Sequence, residues 1–364
     1  MPVPDPMARG GWLRRGLVVA GRVVASVLVA ASALWGGFAL VYQAPGGMWG
    51  KGAAVLVWMV LCVGAIVALW RAGPWRRRAG WAYLAGLIVL CGWWQTLAPS
   101  NDRVWADDVA KMLRGTVQGS TVTLENVRNF DWRTDDDYTV RWETRQYDLD
   151  QLVSVDMALS YWAGPEIAHT LVSFGFSDGR HLVFSVEIRK ERGEQFSEIG
   201  GFFKQFELSV VAAEERDILY VRAGPRGESV YLYPVRMPAP AMRALFLSYV
   251  ATANALVDTP RFYHTVTANC TTLVYQMVRA IVPGLPLDAR ILLSGYLPEY
   301  LYEQGGLDTG VPLDVLRQRA SVGRQAPPGD DAIEFSRRIR QQGMPAPAGA
   351  KSSSNGRLSL VRAQ

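Results

Sequence analysis

Acidic residues are almost absent from the first 98 positions of this 364-residue chain, where Asp5 stands alone against nine lysines and arginines. That third carries a formal charge of +8, and since the whole chain carries +5, the remaining residues sum to −3. The basic balance is local to the N-terminal third and gives no support to nucleic-acid binding. Cysteine and histidine are scarce too, at three each. There is no HExxH, no CxxC pair and no GxxxxGK[ST], so neither a zinc site nor a nucleotide site has the spacing it needs, and no cofactor or metal is expected. No internal repeat is visible, and the mean hydropathy of +0.06 averages two unlike regions.

What fills the N-terminal third is apolar. Residues 23–42, 52–70 and 79–98 are three runs of about 20 positions without formal charge, each long enough to cross a bilayer. They predict a membrane anchor over residues 1–99 with three transmembrane helices. Arg9, Arg14, Arg15 and Arg22 precede the first run, and Arg71, Arg76, Arg77 and Arg78 fill the second loop, whereas the first loop holds only Lys51. The positive-inside rule then leaves the N-terminus in the cytoplasm and everything after about residue 100 on the far side. The expected location is the bacterial inner (cytoplasmic) membrane, multi-pass, with the main domain in the periplasm. Cys62 and Cys91 fall inside the second and third runs, so Cys270 is the only cysteine exported and has no disulfide partner there.

Residues 100–322 read as one mixed α+β domain. Strands are expected over 139–142, 152–159, 167–176, 181–188, 205–211 and 229–233, with a charged turn or short helix over 212–217. Residues 240–257 and 270–281 have helical apolar spacing, the latter stopped by Pro283-Gly284. Ser177-Asp-Gly179 is a hairpin turn. A three-residue loop with Gly179 left-handed sets His169 opposite Glu187; a two-residue loop would pair it with Ile188 instead. The tail, 323–364, is rich in Pro, Gly, Ser and Gln and reads as disordered.

Cys270 opens a predicted helix, where unpaired N–H groups and the helix dipole favour a thiolate and would stabilise the oxyanion formed on attack at an ester or amide. A thiolate needs a base and the base an orienting partner. His169 is the candidate base, with Glu187 or His181 to orient it; Glu187 could equally pair with Arg189 or Arg192 on a solvated face. The order His, acid, Cys is the reverse of papain's, so such a site would be circularly permuted.

Several motifs occur in order: Val127-Arg-Asn-Phe-Asp-Trp-Arg-Thr134, Tyr147-Asp-Leu149, Ile167-Ala-His-Thr-Leu-Val-Ser-Phe-Gly-Phe176, Ser185-Val-Glu-Ile-Arg189, Glu215-Arg-Asp217, Tyr231-Leu-Tyr-Pro234, Asn269-Cys-Thr-Thr272 and Gly295-Tyr296. Over roughly residues 101–310 these resemble the Lnb N-terminal periplasmic domain family. The Asn-Cys helix opening after a strand histidine is also similar to the permuted papain-like acyltransferases of the lecithin:retinol acyltransferase type, whose two histidines lie twelve residues apart as His169 and His181 do. These resemblances imply a permuted papain-like (NlpC-like) domain behind the three helices. They also imply a cysteine acyltransferase that takes an acyl chain from a phospholipid or other lipid ester and passes it to an amine, such as the N-terminus of a bacterial lipoprotein. Cys270 would be the nucleophile, His169 the base, Glu187 or His181 the orienting group, and Asn269 and Thr271 the substrate-binding flanks. The family's name-giving protein carries membrane spans after this domain, whereas here they precede it. A cell-wall cysteine peptidase or amidase and a non-catalytic envelope scaffold remain open as alternatives. The expected partners are the bilayer and its lipid or lipoprotein substrates, not nucleic acid.

Overall fold

A computed structural model describes residues 6–325, 329 and 331–341, which fall into two compact units. The first comprises residues 1–106, 188–208 and 259–269; the second comprises 107–187, 209–258 and 270–364.

In the first unit, α1 (Pro6–Gln43), α2 (Gly47–Trp70) and α3 (Trp75–Thr96) follow one another through short turns. Among the described residues, two helices are long and apolar enough to cross a membrane, α1 over Arg14–Gln43 and α2. The third expected run lies in α3, which is helical throughout but opens on Arg76, Arg77 and Arg78 and is less apolar. The three helices pack through aromatic and small residues. Trp58 stacks on Tyr83, its Nε1 donates to Ala33 O at 3.3 Å, and a Cβ at Gly36 would collide with Trp58 and Leu90. Leu17, Leu28, Leu34, Leu56, Trp81 and Ile88 are left exposed, the pattern of helices whose outer faces meet lipid.

The second unit is built on a sheet. Its strands are β1 (Arg114–Gln118), β2 (Thr121–Arg128), β5 (Trp142–Asp148), β6 (Leu152–Tyr161), β7 (His169–Phe176), β8 (His181–Arg189), β9 (Glu207–Ala213) and β10 (Ser229–Pro234); β3 (Asp131–Trp132) and β4 (Tyr138–Thr139) form a separate hairpin. The order is β1-β2-β9-β8-β7-β6-β10, with β5 also on β2. Its centre is the β6-β7-β8 meander, and β7 is buried along nearly its whole length, as its run of apolar and β-branched residues requires.

Six helices complete the unit: α4 (Glu215–Ala223), α5 (Ala239–Asp258), α6 (Cys270–Ile281), α7 (Leu297–Glu303), α8 (Leu313–Ala320) and α9 (Ala332–Gln341). The helical spacing seen in the sequence is the buried stripe of α5, where Phe246 and Tyr249 meet Phe174 and Phe184 from the sheet.

Of the two readings of 212–217, a charged turn or a short helix, the helix is found: the segment leads into α4, every residue of which is buried. Its charges are satisfied internally: Asp217 accepts from Arg128 Nε and Nη2 at 3.0 Å, from Phe130 N at 2.8 Å and from Trp132 Nε1 at 2.7 Å. Part of the tail expected to be disordered is also structured. Phe335 and Ile339 of α9 are buried, and Arg340 reaches Asp156 and Glu215. The remainder of that expectation, residues 326–328, 330 and 342–364, lies outside the described residues.

Asp217→Asn keeps the side chain's shape but leaves Arg128 buried without its counter-charge. The expected loss is about 3–5 kcal/mol, measured by denaturant unfolding of the detergent-solubilised protein. A loss below about 1 kcal/mol would mean that the pair does not anchor α4.

Candidate active site

Gly179 takes a φ of 87°, so the β7–β8 turn is the three-residue loop, and Leu171 pairs with Ser185. Continuing that register brings His169 opposite Glu187. His169 Nε2 lies 3.1 Å from Glu187 Oε1 and 2.7 Å from Ser185 Oγ, and the Ser185 hydroxyl itself donates to Glu187 Oε1 at 2.7 Å. The arginine that meets Glu187 comes from outside the hairpin. Arg222, in the last turn of α4, donates Nη2 to Glu187 Oε1 at 3.0 Å.

Cys270 is the first residue of α6, and its thiol hydrogen-bonds to His169. The backbone N–H of Thr170 and the hydroxyl of Thr271, 3.8 Å away, complete the sulfur's surroundings. The strand start is fixed from outside: buried Ser294 accepts from Ala168 N at 2.9 Å and donates to Ala168 O at 2.6 Å, one residue before His169.

These contacts oppose and outweigh burial. Desolvation disfavours every charge here, yet the carboxylate of Glu187 lifts the imidazole of His169 to about 9 against the opposing charge of Arg222. Burial raises the Cys270 thiol, but the charge and hydrogen bond of His169, with the Thr170 N–H and Thr271 hydroxyl, bring it below its ordinary value. Glu187, despite burial, is held well below the usual carboxylate range by His169 and Arg222. The arrangement sets a lowered thiol against a raised imidazole that a carboxylate holds, the geometry in which a thiolate–imidazolium pair can form.

Sequence reasoning brought His169, Glu187 and Cys270 into one site but included a residue that does not belong. His181 lies six positions along β8 from Glu187, about 20 Å at roughly 3.3 Å per residue, because the stretch between the histidines is β7 and the turn alone, and His181 opens β8 opposite Gly175. His181 instead joins Asp156 and Glu215, whose ligating atoms all lie within 4.8 Å of one another. Arg340 fills that cluster, 2.6 Å from Asp156 and 2.7 Å from Glu215. Asn269 donates Nδ2 to Thr265 O at 2.6 Å, while Thr271 hydrogen-bonds to Thr170 at 3.1 Å.

Ser185, Thr170 and Arg222 were not singled out. Alternation along β8 puts Ser185 on the face of Glu187, a legible signal; Arg222 arrives from a separate helix and left none. Gly175-Phe-Ser-Asp-Gly179 has the spacing of a serine nucleophile elbow, but Ser177 sits in a strand-to-strand turn with its N–H on Gln151 O at 2.8 Å.

An apolar cavity of about 220 Å³ is lined by Thr170 and Thr271, the neighbours in sequence of His169 and Cys270, together with Met157, Val172, Val274 and Val278; Arg236 and Gln304 are also on its wall.

The fold and site define an α+β domain with a cysteine, histidine and glutamate in contact, in a chain with membrane-length apolar helices. Residues 138–303 match the family model of the Lnb N-terminal periplasmic domain, so this segment carries that domain. The match includes His169, Glu187 and Cys270 and begins after the Val127–Thr134 motif. No curated protein and no solved structure matches the chain. The family and the apolar helices fit a membrane protein with a periplasmic domain.

The pH sign follows from the pair. The thiolate forms as pH rises through the lowered thiol value, and the imidazolium is lost as pH rises through about 9. Iodoacetamide alkylation of Cys270 should begin below the ordinary thiol range. His169→Ala should move that limb up by about 1–3 pH units, and Glu187→Gln should move it less, in the same direction. A limb unmoved in His169→Ala would show that no ion pair exists.

Proposed function

We propose that this protein is a membrane-anchored cysteine acyltransferase that takes an acyl chain from a lipid ester as a thioester on Cys270 and passes it to an amine, the N-terminus of a lipoprotein being the acceptor the family suggests. The observation that carries this reading is the apolar cavity: Thr271 and Thr170, the residues in contact with the thiol, are part of its wall, and it offers space for hydrocarbon. A peptidase or amidase of the cell wall would present a polar cleft there instead.

In the first half-reaction the Cys270 thiolate attacks the ester carbonyl, with N–H groups of the first turn of α6 facing the developing oxyanion. The His169 imidazolium then gives its proton to the departing alkoxide, leaving a thioester and a neutral imidazole. In the second, the acceptor amine attacks the thioester carbonyl, the imidazole takes the amine proton, and the thiolate leaves as the amide forms. Glu187 stays ionised throughout, holding the ring and stabilising its cationic form.

The same reading takes residues 79–98 of α3 as a third span, with the N-terminus cytoplasmic and the second unit in the periplasm of a bacterial inner membrane. It also takes the order His, Glu, Cys as a permuted papain-like arrangement. A lipid donor fits such an anchor, since the acyl esters are in the membrane that the helices enter.

Intact-protein mass spectrometry after incubation with phospholipid vesicles tests the chemistry. A hydroxylamine-labile gain of one acyl chain is expected, absent in Cys270→Ala. A reactive thiol that never gains a chain would favour a hydrolase, and an alkylation-resistant thiol a scaffold.

Val278→Trp fills the cavity away from the thiol. It should cut acyl loading at least tenfold, about 1.4 kcal/mol, while iodoacetamide still labels Cys270. Loading at the wild-type rate would place the acyl chain elsewhere.

A further inference from the structure

Within the first unit, the segment 196–206 is bound to the ends of two apolar helices. Gln43, the last residue of α1, donates Nε2 to Phe203 O at 3.0 Å and to Lys204 O at 2.8 Å. Lys204 donates Nζ to Trp94 O at 2.8 Å and Leu97 O at 3.2 Å, placing a cation on the carbonyl end of α3. Its ammonium also lies over the rings of Trp94 and Phe262. Phe203 goes deeper: its ring stacks on Tyr42 at 5.8 Å and meets Phe38 at 5.4 Å. Phe38 lies five residues before the end of α1, about 7 Å down the helix axis at roughly 1.5 Å per residue.

In the residues before this anchored phenylalanine, apolar side chains are partly exposed, Phe202 while packing edge-on against the His264 ring. Ile199 is 48% exposed, Phe202 43% and Phe196 50%. At the same helix ends, where α2 begins, Met48 is 78% and Trp49 85% exposed. Large apolar residues gathered in one place mark a surface that something apolar covers. Glu198, exposed within the same segment, keeps the set from belonging to the hydrocarbon interior.

We infer that residues 196–203, with Met48 and Trp49, form an interfacial collar that sits in the headgroup region of the outer leaflet, with Ile199 and Phe202 inserted beside the ends of α1 and α3. The occupant is the bilayer itself, because the collar is bonded to helices that are taken to enter it; this rests on the membrane reading above. Aromatic and aliphatic residues beside a lysine at the end of a span are the side chains that settle at that depth.

Site-directed spin labelling tests the collar in the full chain. In a Cys62→Ala, Cys91→Ala, Cys270→Ala background, single labels are placed at Ile199→Cys and Phe202→Cys. Reference labels are Leu28→Cys on the exposed face of α1 and Asp136→Cys in the exposed β3–β4 turn. The proteins are reconstituted in nanodiscs of phosphatidylcholine and phosphatidylglycerol, and collision with oxygen is compared with collision with a nickel chelate. The expected oxygen-to-nickel ratios at 199 and 202 lie between those of Leu28 and Asp136. If both equal Asp136 while Leu28 reads as lipid-exposed, the collar is overturned and the span stands. If Leu28 also reads as aqueous, the membrane reading fails and takes the collar with it.

Discussion

A carboxylate buried in a protein must be answered by positive charge and hydrogen bonds, and in this molecule the side chain of Glu187 is where that requirement organises everything else. One oxygen, Oε1, takes donors from Ser185 on its own strand, His169 on the next and Arg222 on a helix that packs there. The charge ties β7, β8 and α4 to a single point. Arg222 shares the carboxylate with His169 and opposes the charge on the ring, yet Glu187 still raises the imidazole. The raised imidazole in turn lowers the thiol of Cys270. The order of cause therefore runs from the acid through the imidazole to the sulfur.

The same logic explains why a helix with two acids and two arginines is wholly buried. At its start, α4 meets Arg128 through Asp217, whose carboxylate also takes the N–H of Phe130 and the indole of Trp132. Glu215 beside it accepts from Ser173 of β7 and from Arg340 of α9, and is held at about 2 against the cost of burial by Arg340, the positive field of His181 and the Ser173 hydroxyl. At its end, Arg222 reaches Glu187, and its Nη1 lies 3.7 Å from Glu228, which also receives the Ser160 hydroxyl. The helix is a strut fixed at both ends by charge pairs, and the end that matters chemically is held in place by the other.

How much of this could be read from the sequence depended on whether a feature was local. The hairpin register was legible because a single glycine decides it: Gly179 at positive φ sets His169 opposite Glu187. The helix that Cys270 opens was legible because its apolar stripe and the Pro283-Gly284 stop lie within a few residues of each other. The strands β1 and β2 were missed, since Arg114–Gln118 carries little apolar alternation and is mostly exposed. The burial of α4 was missed for a different reason. Charge-rich segments usually face water, and only partners distant in the chain, Arg128 and Arg340, make an exception of this one. The error over His181 was one of distance along a strand: twelve residues of hairpin leave its two ends side by side, but these histidines sit at the end and near the turn.

A thiol whose pKa is lowered is also a thiol opened to oxidants. Residues 99–364 contain no cysteine besides Cys270, and Cys62 and Cys91 belong to α2 and α3. Peroxide would convert the thiolate to a sulfenic acid with no resolving thiol in its own unit to close a disulfide and return it, and further oxidation is irreversible. The contacts that lower the thiol thus also make the sulfur easier to oxidise. Any reductant that restores it has to come from outside this unit, and before a second oxidation makes the change permanent.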